Sequence, residues 1–176
     1  MGIYQTQHLD QPQHQNQPQA EDQTQYLIVP GWHGSEPEHW QSHWQRVLPF
    51  AHRVEQRDWS NPNRVDWLLA LDEKIREIKS KQIVLIAHSL GSIAVALWAQ
   101  FASTSQLRRI AGALLVAPAD IERDGAPQAL KQFGPVPLGH LPFPSVLVGS
   151  TNDPAASAER VILFGRAWGS QVSVLN

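Results

Sequence analysis

Ser89 is the residue around which chemistry can be organised. It stands in Ala87-His88-Ser89-Leu90-Gly91, between Ile83-Val84-Leu85-Ile86-Ala87 and a second apolar stretch, Ile93-Ala94-Val95-Ala96-Leu97-Trp98. The first run suits a strand buried on both faces, the second a buried helix. A serine at such a junction, with small residues two before and two after it, has the pattern of a nucleophile elbow. The turn is sharp, the hydroxyl projects at the C-terminal end of the strand, and the helix N-terminus beneath it favours negative charge. The usual form is G-x-S-x-G; here Ala87 replaces the first glycine, a mild departure. The competing reading is an ordinary strand–turn–helix whose serine caps the helix.

Such a serine points to acyl transfer, which also needs an oxyanion hole, a base and an orienting carboxylate. The backbone N–H of Leu90, directly after the serine, is one oxyanion donor. A second belongs in the loop after the first strand, where Trp32 holds the right place in Gly31-Trp32-His33-Gly34. Asp153, in Asn152-Asp153-Pro154 just past a buried strand, is the preferred carboxylate. Asp120 competes for that role, and either could instead cap a helix. Of the histidines, His88 neighbours the serine but should point into the strand–helix junction. His140 precedes a parallel strand and belongs at the opposite end of the sheet. Only His33 lies at the right edge, with nothing to bring its ring to both Ser89 and Asp153. His39 and His43 sit four apart, a spacing that can bind metal, but no third ligand accompanies them and packing beside Trp40 and Trp44 is the better reading. No metal or other cofactor is expected.

Strands and helices alternate along the chain. Strands are expected at 26–29, 53–55, 83–87, 112–116, 145–149 and 172–175. The apolar residues of 63–79 recur at helical spacing, with charged residues on the other face. Ser35-Glu36-Pro37-Glu38 has the letters of a capping box and is expected to open a helix there. A further helix is expected at 155–168, and the Gly/Pro-rich stretch 121–141 reads as a lid or pocket wall with one helical turn near 127–132. Together these predict an α/β fold, a three-layer sandwich with a mostly parallel sheet. The site then lies at the C-terminal strand ends, where the loops 30–35 and 150–154 meet the elbow.

Composition narrows the function. The chain has 176 residues, a formal net charge of −2 and no cysteine. There is no basic footprint for nucleic acid, no thiol nucleophile and no disulfide. No apolar run is long enough to span a membrane. Residues 1–25 are Gln-rich and read as a disordered tail, with 26–176 as the domain. The tail begins with letters that fit a loose myristoylation pattern, for which chance is the better explanation, and His8 and His14 lack metal-ligand spacing. With no hydrophobic signal segment at its start, the chain is expected to be cytoplasmic.

The sequence also resembles a known family, the small serine hydrolases grouped with retinoblastoma-binding protein nine and the bacterial YdeN-type proteins. The matching residues are Val29-Pro30-Gly31-Trp32-His33-Gly34-Ser35, His39-Trp40-Gln41, Ala87-His88-Ser89-Leu90-Gly91, Val116-Ala117-Pro118-Ala119-Asp120, Leu141-Pro142-Phe143-Pro144-Ser145, Asn152-Asp153-Pro154 and Trp168-Gly169-Ser170. The resemblance runs from about Tyr26 onward. It implies an α/β-hydrolase fold without a large cap domain, Ser89 as nucleophile, Asp153 as triad acid and esterase-like hydrolysis of a small acyl substrate. It also implies a catalytic histidine in a Gly-His motif shortly after the last strand. The chain reaches Asn176 with no residue at that position. The expectation is therefore a member of the family that is truncated before its base and weakly active or inactive on esters. The alternative is a non-catalytic protein that binds through the same pocket; no protein partner is indicated.

Overall fold

The computed structural model describes residues 22–176; the expected myristoylation pattern and most of the Gln-rich stretch lie outside them. Six strands form one sheet in the order β2-β1-β3-β4-β5-β6, every neighbouring pair parallel. They are β1 (Gln25–Val29), β2 (Ala51–Arg53), β3 (Ile83–His88), β4 (Ile110–Val116), β5 (Ser145–Ser150) and β6 (Gln171–Leu175). Ahead of β1, Gln23 and Thr24 are tied to the turn before β3 through Ser80 and Gln82. Because all strands point one way, the loops after β1, β3 and β5 leave from a single edge.

Helices α2 (Arg64–Glu77), α3 (Leu90–Trp98) and α6 (Ala158–Trp168) belong to one hydrophobic core with one sheet face. Trp67, Leu71 and Ile75 of α2, Ile93 and Leu97 of α3, and Val161, Phe164 and Trp168 of α6 lie in the same buried cluster as Leu27, Leu85, Leu115 and Leu147. The alternation of side chains along a strand puts Ile28, Ile86, Leu114 and Val146 on the other face. There α1 (Trp40–Val47) packs over the β1–β3 corner. The three-layer expectation holds, with the layers unequally filled.

Local sequence set most boundaries. Asn63 caps α2 by accepting from the N–H groups of Val65 and Asp66, and Ser157 caps α6 by accepting from Arg160 N–H. The 121–141 stretch contains only the short α5 (Gln128–Lys131) and is packed down as a wall, with Ile121, Leu130, Phe133 and Val136 buried. Arg64 donates to Gly134 O at 3.0 Å, Gln132 to Pro62 O at 2.6 Å and the Trp168 indole to Pro137 O at 2.7 Å.

Two local expectations change. The capping-box letters at Ser35 do not start a helix: α1 begins five residues later, capped by His39, whose Nδ1 accepts from Gln41 N–H at 3.2 Å. The Ser35 hydroxyl instead donates to Gln41 Oε1 at 2.7 Å. A short helix that the sequence reading lacks, α4 (Thr104–Leu107), follows Ser103, which forms a full capping box with Gln106.

Candidate active site

Only Ser89 separates β3 from α3, and its backbone sits at φ 52°, ψ −121°. A positive φ is costly for a residue with a Cβ, on the order of 1–3 kcal/mol, and persists only where surrounding bonds impose it. Here Ser89 N–H donates to Val116 O at 2.9 Å, and Ser89 O accepts from Ser92 N–H at 3.0 Å. The hydroxyl makes no capping bond to α3, so the helix-cap reading of this serine fails.

The chain must pass very close to itself here, and two glycines permit it. A Cβ on Gly91 would stand 2.4 Å from Val29 O and 2.6 Å from Pro30 O, so the first turn of α3 touches the end of β1. A Cβ on Gly31 would stand 2.9 Å from Ser89 Cβ and 3.5 Å from Leu90 N. The loop bearing Trp32 therefore lies directly against the elbow and the N-terminus of α3. Its shape is fixed by Gly34 N–H donating to Gly31 O at 3.0 Å, His33 N–H to Trp59 O at 3.1 Å and the Trp32 indole to Ser60 O at 3.0 Å. The Trp32 and His33 rings stack at 4.1 Å.

The far end of this loop is held by a polar network. Gln41 on α1 is fully buried; its Nε2 donates to Val29 O at 3.2 Å and to Ile86 O at 3.0 Å. Ser35 O accepts from Ser42 Oγ at 3.1 Å and from Arg53 at 2.8 Å, and Arg53 also donates to Ser42 Oγ and Gln45. From the sequence, Gln41 stands out only within a motif and Arg53 only as the start of an expected strand, and Ser42 carries no signal of its own. The available signal was a helix whose inward residues, Gln41 and Ser42, are polar.

The two carboxylates part company. Asp120 pairs with Arg160 at 3.2 Å, and Arg160 also contacts Glu122 and lies over the Phe164 ring. Asp153 forms no ion pair among the described residues; its Oδ1 accepts from Ala155 N–H at 2.7 Å. The two loops touch, since Asp120 N–H donates to Ala155 O at 3.0 Å. Asp153 is near enough to His88 that its charge favours the protonated ring.

That influence is outweighed. Burial, and the neighbouring His39, push the His88 imidazole down to about 4. The ring packs on His39 at 4.9 Å and meets the Trp40 ring edge-on at 6.0 Å, on the α1 side of the sheet, as the strand alternation requires. Burial and the Arg53 charge likewise lower the pKa of His39. His33 lines a groove of about 400 Å³ with Ser35, Glu36, Arg53 and Trp59. His140 bonds the carbonyl of Leu141, ahead of β5 and so at the opposite end of the sheet. His43 bonds Arg46, and His52 bonds Gln25 on the outer strand pair. None of these described rings is hydrogen-bonded to Ser89 or Asp153.

A serine hydrolase family model matches residues 26–176. None of the curated proteins compared is similar to the chain. Among solved structures, a protein described as a YdeN-like hydrolase from Pectobacterium atrosepticum is 32% identical, with a TM-score of 0.73, covering 86% of this chain and 76% of that one. The ydeN gene product of B. subtilis is 17% identical, with a TM-score of 0.69 over 88% of this chain and 86% of that one. Est1E from Butyrivibrio proteoclasticus, solved with ferulic acid, is 15% identical, with a TM-score of 0.66 over 88% of this chain and 80% of that one. The latter two share the fold.

Proposed function

The chain belongs to the serine hydrolase family, and from that premise we propose that it hydrolyses small esters or related acyl compounds through Ser89. The observation that carries this reading is the strained, uncapped serine beneath the Gly31–Trp32 loop. In the proposed reaction Ser89 Oγ attacks the acyl carbonyl and its proton passes to a base. The oxyanion that forms is met by the N–H groups of Leu90 and Trp32; its collapse breaks the ester C–O bond and expels the alcohol, which takes the proton from the base, and water then attacks the acyl-serine to release the acid and restore the Ser89 hydroxyl. Asp153 is the acid that would orient the base, a choice supported by the commitment of Asp120 to Arg160. The formal charge of −2 supports a small-molecule substrate over nucleic acid. No helix among the described residues is long and apolar enough to cross a membrane. Cytoplasmic action is part of the proposal, to be checked by cell fractionation.

Low turnover belongs to the same proposal. With every described histidine ring bonded or packed elsewhere, no base partners Ser89 among the described residues, and lack of one triad member typically costs ~10⁴-fold or more. The same observation favours a second reading, a non-catalytic protein that binds acyl compounds at the Ser89 elbow. Labelling with a fluorophosphonate probe separates them. Slow labelling that disappears in Ser89→Ala is the expected result, with ester turnover weak and equally dependent on Ser89. Labelling unchanged in Ser89→Ala overturns the assignment of the nucleophile. Rapid Ser89-dependent turnover overturns the low-activity part.

A further inference from the structure

The inward face of α1 is polar, which is unusual for a helix packed on a sheet. Its buried residues are Gln41 and Ser42, and Gln41 is 0% exposed. A buried amide is retained cheaply only if its donors and acceptor are matched, because each unmatched group gives up its hydration with no bond in return. The bonds of this amide converge on one purpose. Nε2 bridges Val29 O, where β1 ends and the Trp32 loop begins, and Ile86 O on β3, three residues before Ser89. Oε1 accepts from Ser35 Oγ, at the other end of the same loop. One side chain thus ties both ends of the loop 30–35 to the strand that carries the serine. Arg53 and Ser42 also donate to the Ser35 carbonyl.

We infer that Gln41 is a positioning residue that fixes the Trp32 N–H against the elbow, so that oxyanion stabilisation depends on a side chain that touches no reacting atom. This rests on the assignment of Ser89 and the Trp32 loop given above. An oxyanion donor is effective only if it is held in place before the charge develops. The loop has few internal restraints: Gly34 N–H to Gly31 O within it, and His33 N–H and the Trp32 indole to the 59–60 turn. The Val29 end of the loop is also held by its strand pairing with β3, whereas the Ser35 end is tied back to β3 through Gln41.

The test compares wild type with Gln41→Met, which keeps the length and removes the bonds, and with Ser35→Ala, which removes only the loop-end bond. Two readouts are taken. One is inactivation by a fluorophosphonate, resolved into its maximal rate and its half-saturating concentration. The other is amide exchange at His33 and Gly34, against exchange in β5 as a control for global opening. Gln41→Met is expected to lower the maximal rate about 10²-fold, with half-saturation changed less than about 3-fold and exchange raised in the loop alone. Ser35→Ala should shift both readouts in the same direction by a smaller factor, and it carries the test if Gln41→Met does not fold. Exchange that rises equally in β5 would reduce Gln41 to a general stabiliser and overturn the inference. So would loop exchange that rises while the maximal rate stays unchanged. If wild type shows no labelling at Ser89, the assignment of the serine fails, and the claim that Gln41 fixes the loop is still decided by exchange.

Discussion

Leu147 and Val146 are neighbours on β5, yet one is 0% exposed and the other 40%. The difference belongs to the two faces of the sheet. On the Leu147 face, α2, α3 and α6 cover β1, β3, β4, β5 and β6 with one continuous apolar cluster that includes Trp67, Phe133, Phe164 and Trp168. On the Val146 face, α1 covers Ile28 and Ile86 at the β1–β3 corner, while Leu114, Val146 and Leu175 see solvent to increasing degrees among the described residues. The lesson is that the two faces do different work. One supplies the hydrophobic stabilisation of the whole domain. The other is closed only where a polar helix pins the loop beside Ser89.

That division can be broken most sharply at the β5 pair. Leu147→Asp places an uncompensated charge in the shared cluster and is expected to cost about 4–5 kcal/mol, enough to prevent folding or to lower the urea midpoint drastically. Val146→Asp, one residue away, is expected to cost within about 1 kcal/mol. Similar losses for the two would mean that both faces contribute equally. The next largest effect concerns the link between the faces. In Gly91→Ala the new methyl meets Val29 O and Pro30 O, two backbone atoms that cannot swing aside. The expected loss is about 3 kcal/mol in urea unfolding, accompanied by reduced Ser89 labelling because the Val29 carbonyl also takes the Gln41 bond that anchors the Trp32 loop. Full stability and full labelling would show that α3 and β1 can separate without consequence.

The fold was legible because its signals are local. Each buried run ends in turn-forming residues, and the elbow announces itself through the small residues flanking Ser89. Failures came where a distant partner claimed a side chain. Ser35-Glu36-Pro37-Glu38 has capping letters, but Ser35 bonds Gln41, Ser42 and Arg53 instead. The helix at Thr104–Leu107 had its capping box in plain letters, yet four residues give no periodicity to recognise. In the proposed site, Ser89 is a candidate from its local letters and Trp32 from its place after the first strand. The support of the loop could not, because Gln41 reaches residues 12 and 45 positions away in sequence. The choice between Asp153 and Asp120 depends on Arg160, whose position against Asp120 only the folded chain defines.

The mildest test asks whether the α1 corner is as closed as the rest of its face is open. His88 reports on this directly, since it lies on the α1 side and its pKa is lowered to about 4 chiefly by burial, then by His39, against the opposing charge of Asp153. A histidine whose folded pKa lies below its unfolded value near 6.5 favours folding in its neutral form. Its stabilisation is therefore intact above about pH 6.5 and is lost as pH falls toward 4, because the unfolded chain takes up the proton first. Between pH 7 and pH 5 the expected loss is about 2 kcal/mol in urea unfolding. His88→Gln should flatten that part of the curve. Part of the slope should survive in the variant, because His39, also held low by burial and by Arg53, titrates in the same direction. If wild type and His88→Gln lose stability in parallel, the ring is hydrated in solution, and the closed corner beneath Ser89 is no better sealed than the strands beside it.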